Sequence, residues 1–484
     1  MTRPRGLSRM SVLLALLGLA LLAAAYPLRS RAHRLFVPAA PPPPAILFQG
    51  ASPEVAAFLS KAKAVDQIAD PLARCLAYPD IPGTHWPAGL TTLICNTSFG
   101  KYIRAADIEQ YLDRGATGEL DALFYRDLER HFSKTDFSEA IHSDFNDIGW
   151  GEKSDQLTRR WLQMAPKSPF AHEARAKYFQ YKAEDARGDA YIKDTPAENL
   201  RRMSEYLAQA KAEFEAALKL EPRLLPAYGS LIHVGMMDSD SETQRLAFEQ
   251  STKLDPACSF VAITVMTAME PKWGGSFETM DQWAARLSPY VDQRPLLEMS
   301  IAMPYVARSD VFYDAKQVQD SFQLLTEPAN KYVQSELFED YARAMTEVAP
   351  FERRWDIIVY LLEDSRFWTP RRWAANELGN DLTLTAGDPK WSASVLEKAL
   401  KSDPEDAYGH YVLGFAYGAL QRDSDAERQY LIAAADAENR LDSLVALHDL
   451  AKRQHNLDKE RGYYATLVKE FPEETSKRGI VAPK

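Results

Sequence analysis

The sequence predicts an all-α chain of stacked helical hairpins, and two observations support this. The segments LKLEP and TKLDP end 34 residues apart, at Pro222 and Pro256. Tyr430 and Tyr464 repeat the same spacing near the end of the chain. A period of 34 residues is typical of helix–turn–helix units that stack into a solenoid, because one pair of helices cannot bury its apolar stripe alone.

The unit that begins near Ala407 shows how one pair is built. In its first helix Leu413 and Tyr417 are spaced i and i+4, so they share a face. Gly414 between them allows a neighbouring helix to approach closely. The turn reads QRDSD, which is rich in residues that form turns. The second helix has a stripe of small, large and small residues: Ala426, Tyr430 and Ala433.

These positions resemble the tetratricopeptide-repeat family. The matching residues of this unit are Leu413, Gly414, Tyr417, Ala426, Tyr430 and Ala433. Those of an earlier unit are Ala210, Phe214, Ala217 and Pro222. The resemblance implies a helical-hairpin solenoid that binds a partner along its first helices. A helical array outside this family is the alternative.

The N-terminal residues 1–35 are predicted to be a signal peptide or a membrane anchor. Three arginines precede an apolar segment, and residues 10–28 are long enough to cross a hydrocarbon core of about 30 Å. Ala23 and Ala25 also fit a signal-peptide cleavage site. A proline-rich linker follows at residues 36–50. Both alternatives place the body outside the cytoplasm, so we expect it to be anchored at the inner membrane or secreted to the periplasm.

Residues 51–112 are predicted to form a small N-terminal segment that contains a disulfide. Cys75 and Cys95 flank a loop rich in proline and glycine. In an exported protein such a pair indicates a disulfide, whereas a cytosolic protein would keep two buried thiols. The third cysteine, Cys258, is expected to be a buried free thiol.

The helical region is predicted to continue in two parts, residues 113–350 and residues 351–484, of which the second contains the best-formed repeats. The first part resembles the bacterial domain-of-unknown-function family 4034 at Gly118–Phe124, Trp161–Ala176 and Pro271–Ser276. That resemblance implies an exported or membrane-tethered bacterial protein. It implies no activity, because none is assigned to the family.

No motif for catalysis, cofactor binding or metal binding is recognisable. His172-Glu173 is followed by Ala176 where a zinc-protease helix needs a second histidine. The nearby His142, Asp144 and Asp147 are typical of a solvated helix end. We therefore expect no catalytic residue, no cofactor and no metal.

The charge distribution disfavours a nucleic-acid partner. The net charge is −11, and the first 50 residues contain six arginines and no acid, so the rest of the chain is more acidic still. A protein or peptide partner is expected instead. The resemblance to the tetratricopeptide-repeat family implies a groove along the first helices, and its register places there Tyr408, Tyr411, Phe415, Asp449, Lys452 and Arg453.

Together these features predict a non-enzymatic interaction scaffold of the bacterial envelope. Aromatic side chains next to charges suit a bound peptide segment. Three alternatives remain open. The first is that the aromatic residues pack inside the chain. The second is that the protein is an envelope enzyme whose catalytic residues lie on separate helices, and the third is that it is a purely structural accessory subunit.

Overall fold

Helical hairpins follow one another along most of the chain. The computed structural model describes residues 48, 50–134, 137–149, 151–188 and 192–483, which contain 24 α-helices and no strand. The predicted signal or anchor of residues 1–35 and most of the linker lie outside the described residues. Within the described ranges, no helix combines the length and the apolarity needed to cross a membrane.

Seven helices precede the array of hairpins. They are α1 Pro53–Val65, α2 Pro71–Ala77, α3 Leu90–Phe99, α4 Ala105–Asp113, α5 Thr117–His131, α6 Ala140–Ser143 and α7 Gly151–Met164. The helices of the array are α8 Pro169–Arg187, α9 Ala197–Leu220, α10 Leu225–Met237, α11 Ser241–Leu254, α12 Ser259–Ala268, α13 Phe277–Leu287, α14 Leu297–Asp314, α15 Val318–Lys331, α16 Ser335–Val348, α17 Pro350–Phe367, α18 Arg372–Leu384, α19 Pro389–Ser402, α20 Ala407–Ala419, α21 Asp423–Ala433, α22 Arg440–Arg453 and α23 Leu457–Glu470. The short helix α24, Pro472–Lys477, packs on α23.

The array is built from consecutive pairs that stack side by side. Seven pairs are α8–α9, α10–α11, α14–α15, α16–α17, α18–α19, α20–α21 and α22–α23, while α12 and α13 both pack against α14. First helices also touch first helices, as α18 does with α20 and α20 with α22. Phe48–Lys484 form one compact unit, so the predicted parts 51–112, 113–350 and 351–484 are consecutive regions of it. The expected helical-hairpin fold is confirmed for the described residues.

The repeat positions explain how two helices of a pair fit together. Tyr430 is 5% exposed, and Ala426 and Ala433 beside it on α21 are fully buried. Its ring lies directly over Gly414 of α20, where an added Cβ would come within 2.7 Å of the ring. The small–large–small stripe therefore lets α20 and α21 pack closely, as the sequence indicated.

A second glycine explains why the unit after Pro222 departs from the repeat pattern. Gly235 occupies a position where a large residue is usual, and a Cβ there would lie 2.8 Å from the carbonyl oxygen of Asp240. Asp240 caps the next helix, since its carboxylate accepts a hydrogen bond from the backbone N–H of Thr243 at 3.0 Å. The glycine thus permits a tight turn between α10 and α11.

The cysteine-containing segment packs on the second helices of the array. Cys75 and Cys95 form a disulfide with a Cα–Cα distance of 5.6 Å, and Cys258 is a buried free thiol. The guanidinium of Arg366 on α17 donates to the carbonyl oxygen of Cys75 at 3.0 Å. The indole of Trp391 on α19 donates to Asp66 at 2.6 Å. Helices α1 to α3 are thereby attached to α17 and α19.

Two expectations need correction. The folded unit begins before residue 51, because Phe48, assigned to the linker, is 6% exposed and packs edge-on against Trp355. The prediction that His142, Asp144 and Asp147 lie at a solvated helix end is also wrong for the first two. His142 and Asp144 are 7% and 0% exposed, while Asp147 is exposed. Asp144 accepts a hydrogen bond from the backbone of Ile103, and burial raises its pKa to about 7.

Candidate functional site

The predicted aromatic stripe lies on α20, whose neighbours α18 and α22 are also first helices. Tyr408, Tyr411 and Phe415 are spaced three and four residues apart, so they share one side of the helix. All three are half-buried. The rings of Tyr408 and Tyr411 stack with a centroid distance of 5.9 Å and an interplanar angle of 16°. Nδ2 of Asn380 on α18 donates to the Tyr408 hydroxyl at 3.2 Å, which links the stripe to the preceding pair.

The three aromatic residues differ in how much they contribute to the core. Tyr411 also packs on the buried ring of Tyr430 at 5.8 Å, so the alternative that these aromatics pack within the chain applies in part to Tyr411. Tyr408 lies at the edge of the same cluster. Phe415 is one turn further along α20, level with Asp449 of the next first helix in the repeat register. Its role as a partner anchor stays a prediction.

The charged residues predicted for the groove are on α22. Asp449 is half-buried, with a carboxylate oxygen 3.2 Å from Nδ1 of His448. Arg453 is exposed but forms a salt bridge of 2.5 Å with Asp423 at the start of α21. Lys452 is exposed and forms no salt bridge within the described residues. Of the two basic residues predicted for the groove, Lys452 therefore has an ammonium group that a ligand could bind without breaking a salt bridge within the described residues.

A cluster of carboxyl groups with raised pKa values lies on α16 and α17, and no sequence motif indicates it. Burial raises the pKa values of Asp340 and Asp364 to about 7 and also raises that of Glu339. Arg343 lies 3.1 Å from Glu339 and 3.6 Å from Asp340, and Arg371 lies 3.6 Å from Glu339. Carboxylates held by two guanidinium groups are typical of a structural ion-pair network, although raised pKa values also occur at catalytic sites.

Comparisons with known protein families and with curated proteins do not assign the chain to a family. No family model matches it, so the resemblance to the uncharacterised bacterial family is not supported. No curated protein matches it either.

Two solved structures show similarity over most of the chain. One is a monomeric mutant of IFIT1 with m7Gppp-AAAA, at 11% identity and a TM-score of 0.32, with 87% of this chain and 94% of that chain covered. The other is a circular tandem repeat protein with a novel repeat topology and enhanced subunit contact surfaces, at 15% identity and a TM-score of 0.18, with 87% and 97% covered. At these TM-scores neither structure supports an argument about what this chain binds.

Proposed function

We propose that the protein is a non-enzymatic scaffold of the bacterial cell envelope that binds a peptide segment of a partner protein on α18, α20 and α22. The observation that supports this most is the aromatic stripe. Tyr408 and Tyr411 are already stacked on each other, Tyr408 is hydrogen-bonded to the preceding pair, and Phe415 continues the stripe along the same helix. Rigid, half-buried aromatic side chains bind partners with little loss of conformational entropy.

The charge next to the stripe indicates the chemistry of the partner. Lys452 is exposed at the end of α22, about one turn beyond Asp449, and has no salt bridge within the described part of the chain. A peptide with an apolar or aromatic side chain for Phe415 and an acidic group for Lys452 would match both features. The acidic group is either a carboxylate side chain or a C-terminal carboxylate.

The proposed location rests on two features. The arginine-led apolar segment at residues 10–28 supports export through or into the inner membrane. The disulfide between Cys75 and Cys95 supports an oxidising compartment, since such bonds are rare in the cytosol.

The enzyme alternative is favoured by one observation, the raised pKa values of Asp340 and Asp364. It would require that these carboxyl groups exchange protons with a substrate. Their arginine neighbours, and the hydrogen bond of 2.6 Å that Ser335 donates to Asp364, support a structural role instead.

Site-specific photo-crosslinking tests the proposal. Phe415 is replaced by p-benzoylphenylalanine in the full chain, which keeps an aromatic ring at the position, and cells are irradiated. We expect a discrete crosslinked protein, identified by mass spectrometry, with one peptide of that protein attached. Leu431 on α21, which is 51% exposed, is the matched control on the second helix of the same pair. Crosslinking at Leu431 but not at Phe415 would contradict the proposal.

A further inference from the structure

Three buried side chains that can bind a metal ion meet where the helices before the array pack against it. His131 is the last residue of α5, His142 lies in α6, and Cys258 immediately precedes α12. They are 1%, 7% and 2% exposed. Each residue offers one ligand atom, and the three atoms lie within 4.8 Å of one another. No metal motif is recognisable in the sequence because Cys258 is 116 residues from His142.

The spacing of these atoms is close to that of a zinc site. Sγ of Cys258 lies 3.3 Å from Nε2 of His142. Around a tetrahedral zinc ion with Zn–S near 2.3 Å and Zn–N near 2.05 Å, neighbouring ligand atoms are about 3.4–3.6 Å apart. The cysteine–histidine distance already fits that value. The remaining separations, up to 4.8 Å, need a contraction of up to about 1.4 Å, which side-chain rotations can supply.

His131 has the arrangement of hydrogen bonds that metal-binding histidines usually have. Its Nε2 lies 3.0 Å from a carboxylate oxygen of Asp255, while its Nδ1 is buried without a hydrogen-bond partner among the described residues. Asp255 is itself held by the backbone N–H of Ala257 at 2.9 Å. A carboxylate on one ring nitrogen orients the imidazole and leaves the other nitrogen available for a metal ion. A buried, unpaired nitrogen otherwise costs free energy.

The segments that carry the other two ligands are also held by neighbouring groups. The His142 ring stacks on Phe260 with a centroid distance of 4.6 Å and an interplanar angle of 3°. Glu139, next to α6, accepts a hydrogen bond of 2.9 Å from the backbone N–H of Ser259, the residue after Cys258. The two segments that provide the ligands are thus connected to each other through groups that are not ligands. Metal binding would therefore require rotation of the ligand side chains but no separation of these two segments.

We propose that His131, His142 and Cys258 form a binding site for a zinc ion, with a carboxylate or a water molecule as the fourth ligand. Thiolate and imidazole ligands favour zinc over the oxygen-seeking magnesium and calcium ions. On binding, the Cys258 thiol loses its proton to solvent and the thiolate bonds to the metal. The ion would join α5, α6 and α12, and so attach the helices before the array to its interior. This proposal departs from the expectation from the sequence that the chain has no metal site.

Cobalt substitution provides a specific test, because Co²⁺ takes the place of Zn²⁺ and is visible in absorption spectra. The full chain is purified in detergent with a chelator, freed of chelator, and titrated with Co²⁺ alone. We expect one equivalent to bind, with the visible bands of tetrahedral cobalt and a near-ultraviolet band from sulfur-to-cobalt charge transfer. Cys258 is the source of that band, since the other two of the three cysteines are joined in the disulfide. Added Zn²⁺ should abolish the spectrum.

Variants separate the proposed site from adventitious binding. Cys258→Ser should abolish the charge-transfer band, and His131→Gln should weaken cobalt binding about tenfold or more. His172→Gln, which changes a histidine bonded to Glu213 elsewhere in the chain, should leave the spectrum unchanged. Circular dichroism checks that each variant is folded.

If Cys258→Ser is unfolded, the charge-transfer band of the wild type still shows whether Cys258 is a ligand of the bound cobalt ion. No cobalt binding at millimolar Co²⁺, or tetrahedral bands without the charge-transfer band, would overturn the proposal.

Discussion

Tyr430 shows how a single side chain holds a helix pair together. Its ring fills the space above Gly414 and contacts Tyr411, so truncation would leave a cavity between α20 and α21. Tyr430→Ala should lower the free energy of unfolding of the last pairs by roughly 3–5 kcal/mol, as large aromatic truncations do. Thermal unfolding followed by circular dichroism measures this. The control Leu431→Ala, at an exposed position on the same helix, should change stability by less than about 0.5 kcal/mol. Equal melting curves for Tyr430→Ala and wild type would refute the assigned repeat register.

Glu173 determines part of the pH dependence of stability. Its carboxyl group is fully buried on α8, and neither oxygen has a hydrogen-bond partner in the described part of the chain. Burial raises its pKa to about 7, although Lys177 acts to lower it. Because this pKa is higher than that of the unfolded chain, the folded chain binds the extra proton between about pH 4.5 and pH 7. Stability contributed by this group is therefore lost as the pH rises through that interval.

The variant Glu173→Gln removes this proton linkage while keeping the side-chain shape. Relative to wild type, it should gain stability from about pH 5 upward and reach a constant advantage above about pH 8, with an upper limit of about 3 kcal/mol. Denaturant unfolding at a series of pH values measures the difference. A difference that is independent of pH between 5 and 8 would show that Glu173 does not titrate in this range.

At the scale of elements, the disulfide holds the segment α1–α3 in the shape that contacts the array. Changing both Cys75 and Cys95 to alanine should cost about 3 kcal/mol by the chain-entropy model for a loop of this size. The loss should also expose the contacts of Arg366 and Trp391, so amide exchange should increase in α1–α3 and in α17. Wild type treated with a reductant should behave like the variant, which itself should not respond to the reductant. Unchanged exchange in α17 would mean that the segment packs independently of its disulfide.

These elements also show what the sequence could and could not predict. The hairpins follow from local spacing, and Ala426, Tyr430 and Ala433 are buried as their periodicity indicated. The attachment of α2 to α17 joins residues 291 positions apart, and no local pattern indicates which distant surface a segment will cover.

The same limit applies to the candidate sites. The positions of Tyr408, Tyr411 and Phe415 on one helix side could be predicted from their spacing alone. Which of them packs inward depends on Tyr430, which belongs to the other helix of the pair. The sequence does not indicate that His142 is buried, because Phe260 and Cys258, which contact it, lie at the start of α12, more than a hundred positions later.

For the molecule as a whole, export is the first condition that the proposed function must meet. Alkaline phosphatase is active only where its own disulfides form, outside the cytoplasm. A fusion of this enzyme after residue 50 should therefore be active in cells. A matched fusion that lacks residues 1–35 should be inactive. Activity that does not depend on residues 1–35 would argue against the predicted signal or anchor.

Binding of the partner's peptide to the first helices tests the central claim most directly. The peptide identified by crosslinking at position 415 is synthesised, and its Kd for the full chain is measured by calorimetry. We predict that Phe415→Ser and Lys452→Glu each weaken binding about tenfold or more, which corresponds to about 1.4 kcal/mol or more, while Leu431→Ser leaves the Kd unchanged. Circular dichroism should show the same helix content for all three variants. An unchanged Kd for Phe415→Ser, or an equal loss for Leu431→Ser, would contradict the assignment of this surface as the binding site.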